Sequence, residues 1–205
     1  MTTSTWGRAA FAAGPACLGT YGLIRLIDDE HGPGPDWSLG HLALLAGVVL
    51  FVPVFAGLRR MAVRGRGPAA RWFAGSALVL GLLGVAAVTV QAGIDLVVGY
   101  SSADRASMNE LFERIQGTPG VKPAFYTVGP MLFYVGLLLL IVQSAVVRAV
   151  EAWRPAVVVA AVAVMAAGLD LIPVGALLLL LALAPLGRRA GTPSAPHGEV
   201  RAAHW

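Results

Sequence analysis

Apolar stretches separated by short charged segments dominate this chain, and their lengths predict its elements. A helix needs roughly 20 apolar residues to cross a hydrocarbon core of about 30 Å. Residues 8–27, 38–58, 72–98 and 124–147 each meet that length and predict four membrane-spanning helices. A fifth apolar stretch, 155–186, is 32 residues long and is interrupted at Leu169-Asp170-Leu171-Ile172-Pro173. An acid three residues before a helix breaker divides it into two arms, 155–169 and 173–186. At 1.5 Å per residue each arm rises only about 22 Å. Such a hairpin requires a thinned bilayer or a recessed turn.

Between the third and fourth spans the pattern changes. Residues 103–116 place Met108, Leu111, Phe112 and Ile115 on one helical face, with Arg105, Glu110, Glu113 and Arg114 elsewhere. That spacing predicts an amphipathic helix along the outer surface, with Ser101 and Asp104 as its capping box. Pro53 in the second span and Gly129-Pro130 in the fourth predict kinks, freeing carbonyls near Val49 and at Phe125-Tyr126.

Charge then sets the number of spans and their direction. Only 13% of the 205 residues are charged and 57% are hydrophobic, where soluble domains run near 25% and 45–50%. The net charge is +4, and all basic residues except Lys122 are arginine. Their placement between apolar segments suits orientation signals rather than nucleic-acid contacts. With the N-terminus inside and six spans, the inner side carries Arg8, Arg59, Arg60, Arg64, Arg66, Arg71, Arg148, Arg154, Arg188, Arg189 and Arg201. Arg25, Arg105, Arg114 and Lys122 fall outside, with nine of the eleven acids. Five spans would move Arg188 and Arg189 outward and weaken this positive-inside bias. Both termini are therefore expected in the cytoplasm. Trp6, Trp72 and Trp153 anchor the inner interface and Trp37 the outer. Residues 188–205 read as a disordered cytoplasmic tail. Cys17 is the sole cysteine, which excludes an intrachain disulfide. The first segment lacks a cleavage site and reads as a retained span.

The expected fold is thus all-α, a polytopic transmembrane bundle of six spans plus one surface helix. Its candidate chemistry lies near the outer ends. Asp95 and Asp170 occupy matching Ala-Gly-(Ile/Leu)-Asp-Leu runs, and either suits a general acid, since an ionisable group within a span is a functional candidate. Asp170 equally suits a cap on the sixth helix. Gln91 and Asp95 share a stripe with Gly84 and Val88, a face turned toward other helices, where interhelical hydrogen bonding is the competing role. Gln143 in the fourth span fits the same description. Arg25, His41, Gln91, Asp95 and Asp170 are expected to line one outward-facing polar pocket. No HxxxH or HExxH spacing supports a metal, and no cofactor motif is present.

The Gly40-His41-Leu42 opening of the second span, its Gly57-Leu58-Arg59-Arg60 exit and the run from Gly129 to Leu137 resemble small polytopic membrane proteins of high-GC actinobacteria, catalogued as domains of unknown function. The resemblance implies a bacterial cytoplasmic membrane location and no mechanism. Three functions remain open: binding of a membrane lipid or small hydrophobic molecule, acid catalysis on a hydrophobic substrate in the manner of membrane-bound terpene cyclases, and proton-coupled transport. A cavity open to lipid and without a desolvated acid favours binding. An apolar cavity continuous with the acids favours the enzyme, and a water path from face to face favours transport.

Overall fold

A computed structural model describes residues 5–28 and 31–189. These residues form helices and no strand: α1 (Thr5–Ile27), α2 (Pro35–Val63), α3 (Pro68–Ser101), α4 (Arg105–Gln116), α5 (Gly129–Val146), α6 (Trp153–Ala167) and α7 (Ile172–Arg189). A π-helical turn, Lys122–Val128, leads into α5, and a 3-10 turn, Leu169–Leu171, joins α6 to α7. Five helical stretches are long and apolar enough to cross a membrane, and α6, at 15 residues, is shorter. The protein is a membrane-embedded helical bundle. Its divided last stretch agrees with the break read at Asp170 and Pro173. The helix α7 reaches Arg189, two residues into the segment expected as a tail, and residues 190–205 of that tail lie outside the described residues.

Successive spans run antiparallel, α2 and α5 lie parallel, and small residues bring the helices together. Along α1 and α2, Gly14 faces Phe51, Gly47 faces Cys17, and Gly57 faces the Phe11 ring. The α2–α3 seam sets Gly81 against the Phe55 ring and Gly99 against Trp37. Between α3 and α5 the approach is backbone to backbone: Gly84 sits on the Phe133 main chain, and Gly136 on that of Gly81 and Ala77. Lipid offers tails as apolar as leucine, so helices in a membrane associate through close packing and interhelical hydrogen bonds rather than through exclusion of water. The glycines leave room for Phe51, Phe55 and Phe133, whose rings meet edge to face at 4.9 and 5.5 Å. Polar groups add cross-links. Gln143 donates to the Ala70 carbonyl at 2.9 Å, tying α5 to α3, and Ser144 donates to that of Leu58. Arg154, 4% exposed, joins α6 to α7 through the Ala182 carbonyl while pairing with Glu151.

The bundle closes where α1 meets α7. Gly22 packs under Ile172 and Pro173, and Gly187 lies on the backbone of Arg8 at the other end. One end of the bundle therefore gathers Arg8, Arg59, Arg60, Arg64, Arg66, Arg71, Arg148, Arg154 and Arg188, and the other gathers the described acids except Glu151.

Two local expectations are refined. Pro130 removes an amide that α5 would direct to the Tyr126 carbonyl, and the chain widens there: the Gly129 N–H donates to Ala124, five residues back. The helix α2 runs without interruption past Pro53. The capping box of α4 is not Ser101 with Asp104. Asp104 accepts from the Ser107 amide at 2.8 Å, and its own amide donates to the Ser107 hydroxyl at 3.2 Å. Ser101 is the last residue of α3 and lies on the wrong side of the cap. Met108, 2% exposed, anchors the apolar face of α4, while Glu110 and Glu113 are exposed. Phe112 meets Trp37 at 6.0 Å, so α4 covers the start of α2.

Candidate functional site

The polar groups of the acidic end fall into two sets rather than one. The first is buried. Asp95, 5% exposed in the last third of α3, accepts a 2.7 Å hydrogen bond from the Tyr126 hydroxyl. Its second carboxylate oxygen stands 3.6 Å from His41 Nε2, which is ion-pair range and too long for a direct hydrogen bond. Its backbone carbonyl accepts from Trp37 Nε1 at 2.8 Å. His41 Nδ1 lies 2.8 Å from the Trp37 carbonyl. A carbonyl only accepts, so Nδ1 carries the proton and a neutral His41 turns its Nε2 lone pair toward Asp95. One additional proton between Nε2 and the carboxylate relieves that opposition.

Local sequence explains the placement. His41 and Trp37 are one turn apart on α2, and their rings stack at 4.2 Å. The close seat of Trp37 over Gly99 brings the start of α2 onto the end of α3, where Asp95 lies one turn earlier. Tyr126 is carried by the π-helical turn ahead of Pro130. Gln91, one turn below Asp95, is half-buried, and its side-chain oxygen has no hydrogen-bond partner among the described residues.

The second set is more open. Arg25, in the last turn of α1, places Nε 3.8 Å from an Asp170 carboxylate oxygen. The Asp170 side chain is 73% exposed on the 3-10 turn. It is not recessed in apolar surroundings, and the 3-10 turn that carries it starts from Gly168 with no side-chain cap hydrogen bond. The short α6 explains this, since 15 residues return the chain before an acid can be enclosed between helices. Asp170 therefore does not join Asp95 and His41.

Arg25 bridges the two sets. With Tyr21, His41 and Trp37 it lines a cavity of about 20 Å³, which is room for a single water. Arg25 Nε is buried there without a hydrogen-bond partner. Tyr21 meets His41 edge-on at 5.4 Å and feels the charges of both Arg25 and Asp95. Outside the apolar spans, the Ser107 amide, with its hydroxyl next, holds the Asp104 carboxyl below the ordinary carboxylate range. Among the described residues no three His, Cys, Asp or Glu side chains converge as a metal set.

Wider cavities lie elsewhere: about 410 Å³ between Gly32-Pro33 and the start of α4, about 500 Å³ between the start of α1 and the end of α7, and the widest of these three at the arginine-rich end of α3. A groove of about 720 Å³ opens along the outside of α3, lined by Arg59 of α2 and by Arg71, Trp72, Gly75, Val79 and Leu80 among others, with no acid in its wall. Trp72 and Val79 are exposed at 78% and 56%, so its walls face the surroundings of the bundle rather than its core. A side chain added at Gly75 would meet nothing within 4 Å. Sequence reasoning read Arg59, Arg71 and Trp72 only as orientation signals and missed the groove. It also missed Tyr126, although a tyrosine within an apolar span needs a partner for its hydroxyl.

Compared with known proteins, this chain matches no family model, no curated protein and no solved structure.

Proposed function

We propose that this chain is a membrane-embedded binding protein that takes a lipid or similar amphiphile along the lipid-facing side of α3. It is neither a catalyst nor a transporter in this reading. The observation that carries it is the pair of cavity sizes. The cavity lined by His41, the neighbour of the buried Asp95, is water-sized, whereas the wide groove has no acid in its lining and opens sideways. Ligand sites usually run to about 300–1,000 Å³, a range that the groove meets and the polar cavity misses by an order of magnitude. Acid catalysis on a hydrophobic substrate requires the reacting carbon to reach an acid, and the polar cavity gives it no room.

The proposal places the chain in a bacterial cytoplasmic membrane with both termini cytoplasmic. The support is charge: nine described arginines gather at the end that holds the start of α1 and the end of α7, as the positive-inside rule expects of a cytoplasmic face. The test is photocrosslinking of the full chain in bilayers with a phosphatidylcholine carrying a diazirine on its acyl chain. The expected result is labelling concentrated on residues 72–80. Labelling confined to Tyr21, Arg25 and His41, or spread evenly over every lipid-facing helix, overturns the reading.

A further inference from the structure

The binding groove carries charge at one end only, and that asymmetry defines a class of lipid. Arg59 and Arg71 line its mouth, and neither forms an ion pair among the described residues. Arg59 Nε is buried with no hydrogen-bond partner. The start of α3 adds to this, since Gly67 caps it without a side-chain hydrogen bond, and unpaired N–H groups at a helix N-terminus favour an anion. Below the arginines the wall is Trp72, Gly75, Val79 and Leu80. From Pro68 to Leu80 the helix rises about 18 Å, close to the ~15 Å depth of half a hydrocarbon core. A free phosphate would use the mouth and leave the rest unfilled.

We infer that the groove is a site for one anionic phospholipid, its phosphate held by Arg59 and Arg71 and an acyl chain laid along α3 over Gly75. This rests on the binding reading above and goes further by naming the headgroup. Trp72, beside the charged mouth, suits the headgroup level where indoles settle.

The experiment is native mass spectrometry of the full chain released from mixed phosphatidylglycerol and phosphatidylcholine micelles. The readout is the ratio of the two lipids retained. Each arginine near a membrane surface contributes about five-fold toward anionic lipid, so the pair predicts a preference of about thirty-fold. Arg59→Gln with Arg71→Gln should bring the ratio close to one. Gly75→Leu should remove both lipids alike, by filling the groove without touching its charge. Arg60→Gln, at the same end but outside the groove, should leave the ratio unchanged. If Arg60→Gln lowers the ratio as much as the double change, the preference belongs to the whole positive end and the site is refuted. Equal retention of both lipids, abolished by Gly75→Leu, overturns the headgroup assignment and leaves the binding reading standing. Retention of neither lipid overturns both. Folding of each variant is followed by its thermal transition, and Arg59→Lys with Arg71→Lys, which keeps the charge, should restore the preference if the glutamine pair fails to fold.

Discussion

Gly84→Ala should be among the most damaging single-methyl additions in this protein. The new Cβ would stand 2.7 Å from that of Phe133 and closer still to the Phe133 main chain, where ordinary contact begins near 3.4 Å. Backbone cannot rotate aside, so α3 and α5 must part by about 1 Å. A gap of that size forfeits a quarter to a half of each dispersion contact across the seam, and in a membrane nothing else drives these two helices together as strongly. Overpacking of this kind costs about 1–3 kcal/mol, and the backbone location puts Gly84→Ala at the upper limit, near 3 kcal/mol. For a chain of this length that is about 6–12 °C in Tm. The comparison is Gly93→Ala, whose added Cβ meets nothing within 4 Å and which should stay within about 0.5 kcal/mol of the parent. Reversible unfolding in detergent, by denaturant titration and by heating, measures both. A second step separates backbone from side-chain crowding. Gly57→Ala collides with the tip of the Phe11 ring, so Phe11→Leu should relieve it, whereas Phe133→Leu should not relieve Gly84→Ala. Equal stability of the Gly84 and Gly93 variants, or rescue at Phe133, would refute the backbone-contact argument.

Four other outcomes follow, three at the acidic end and one at the opposite end. Tyr126→Phe should cost about 1–3 kcal/mol by stranding a buried Asp95 oxygen, and a double-mutant cycle with Asp95→Leu should be strongly non-additive; an additive cycle would show that the hydroxyl and the carboxylate do not interact. Asp104 has a lowered folded pKa, so its capping of α4 is fully present above the ordinary carboxylate value of about 3.9 and is lost as pH falls through the lowered value; hydrogen exchange at the Ser107 amide should accelerate there, and protection unchanged to the lowest pH would count against the cap. With Cys17 replaced by Ala, Glu110→Cys and Glu113→Cys should react with an impermeant maleimide added outside while Met108→Cys does not, and a reporter fused after Arg189 should be active only as a cytoplasmic fusion; the opposite sidedness would reverse the proposed orientation.

The helices were legible because hydropathy and length act locally. Residues 8–27 and 72–98 became Thr5–Ile27 and Pro68–Ser101, with ends displaced by a few residues where Pro35 and Pro68 start helices earlier than the apolar runs do. The surface helix was legible from Met108, Leu111, Phe112 and Ile115, and its cap was misassigned because Ser and Asp each suit either partner role. The grouping of the candidate residues was only half legible. Depth along a helix placed Arg25, His41, Asp95 and Asp170 near one end, but depth does not specify azimuth. Azimuth is set by which glycine faces which ring, as where Gly99 seats Trp37 and so brings His41 to Asp95. The pairing of Asp95 with Tyr126 depends on a π-helical turn, a rotation of the chain that an α-helical period does not anticipate.

The seam between α1 and α7 bears on how the protein is made. Synthesis proceeds from α1, yet the face of α1 that carries Gly22 receives Ile172 and Pro173 only when the last helix emerges. Of the described helices, the earliest made is thus the last to be fully housed, and until then its glycine face is turned to lipid or borrowed by another membrane protein. Because Gly187 ends up on the backbone of Arg8, the ends of this seam are neighbours in space. The order of the helices along the chain is then a matter of timing rather than of architecture: joining residue 189 to residue 5 and opening the chain between α2 and α3 would keep every seam of the bundle while letting α7 and α1 leave the ribosome as consecutive helices.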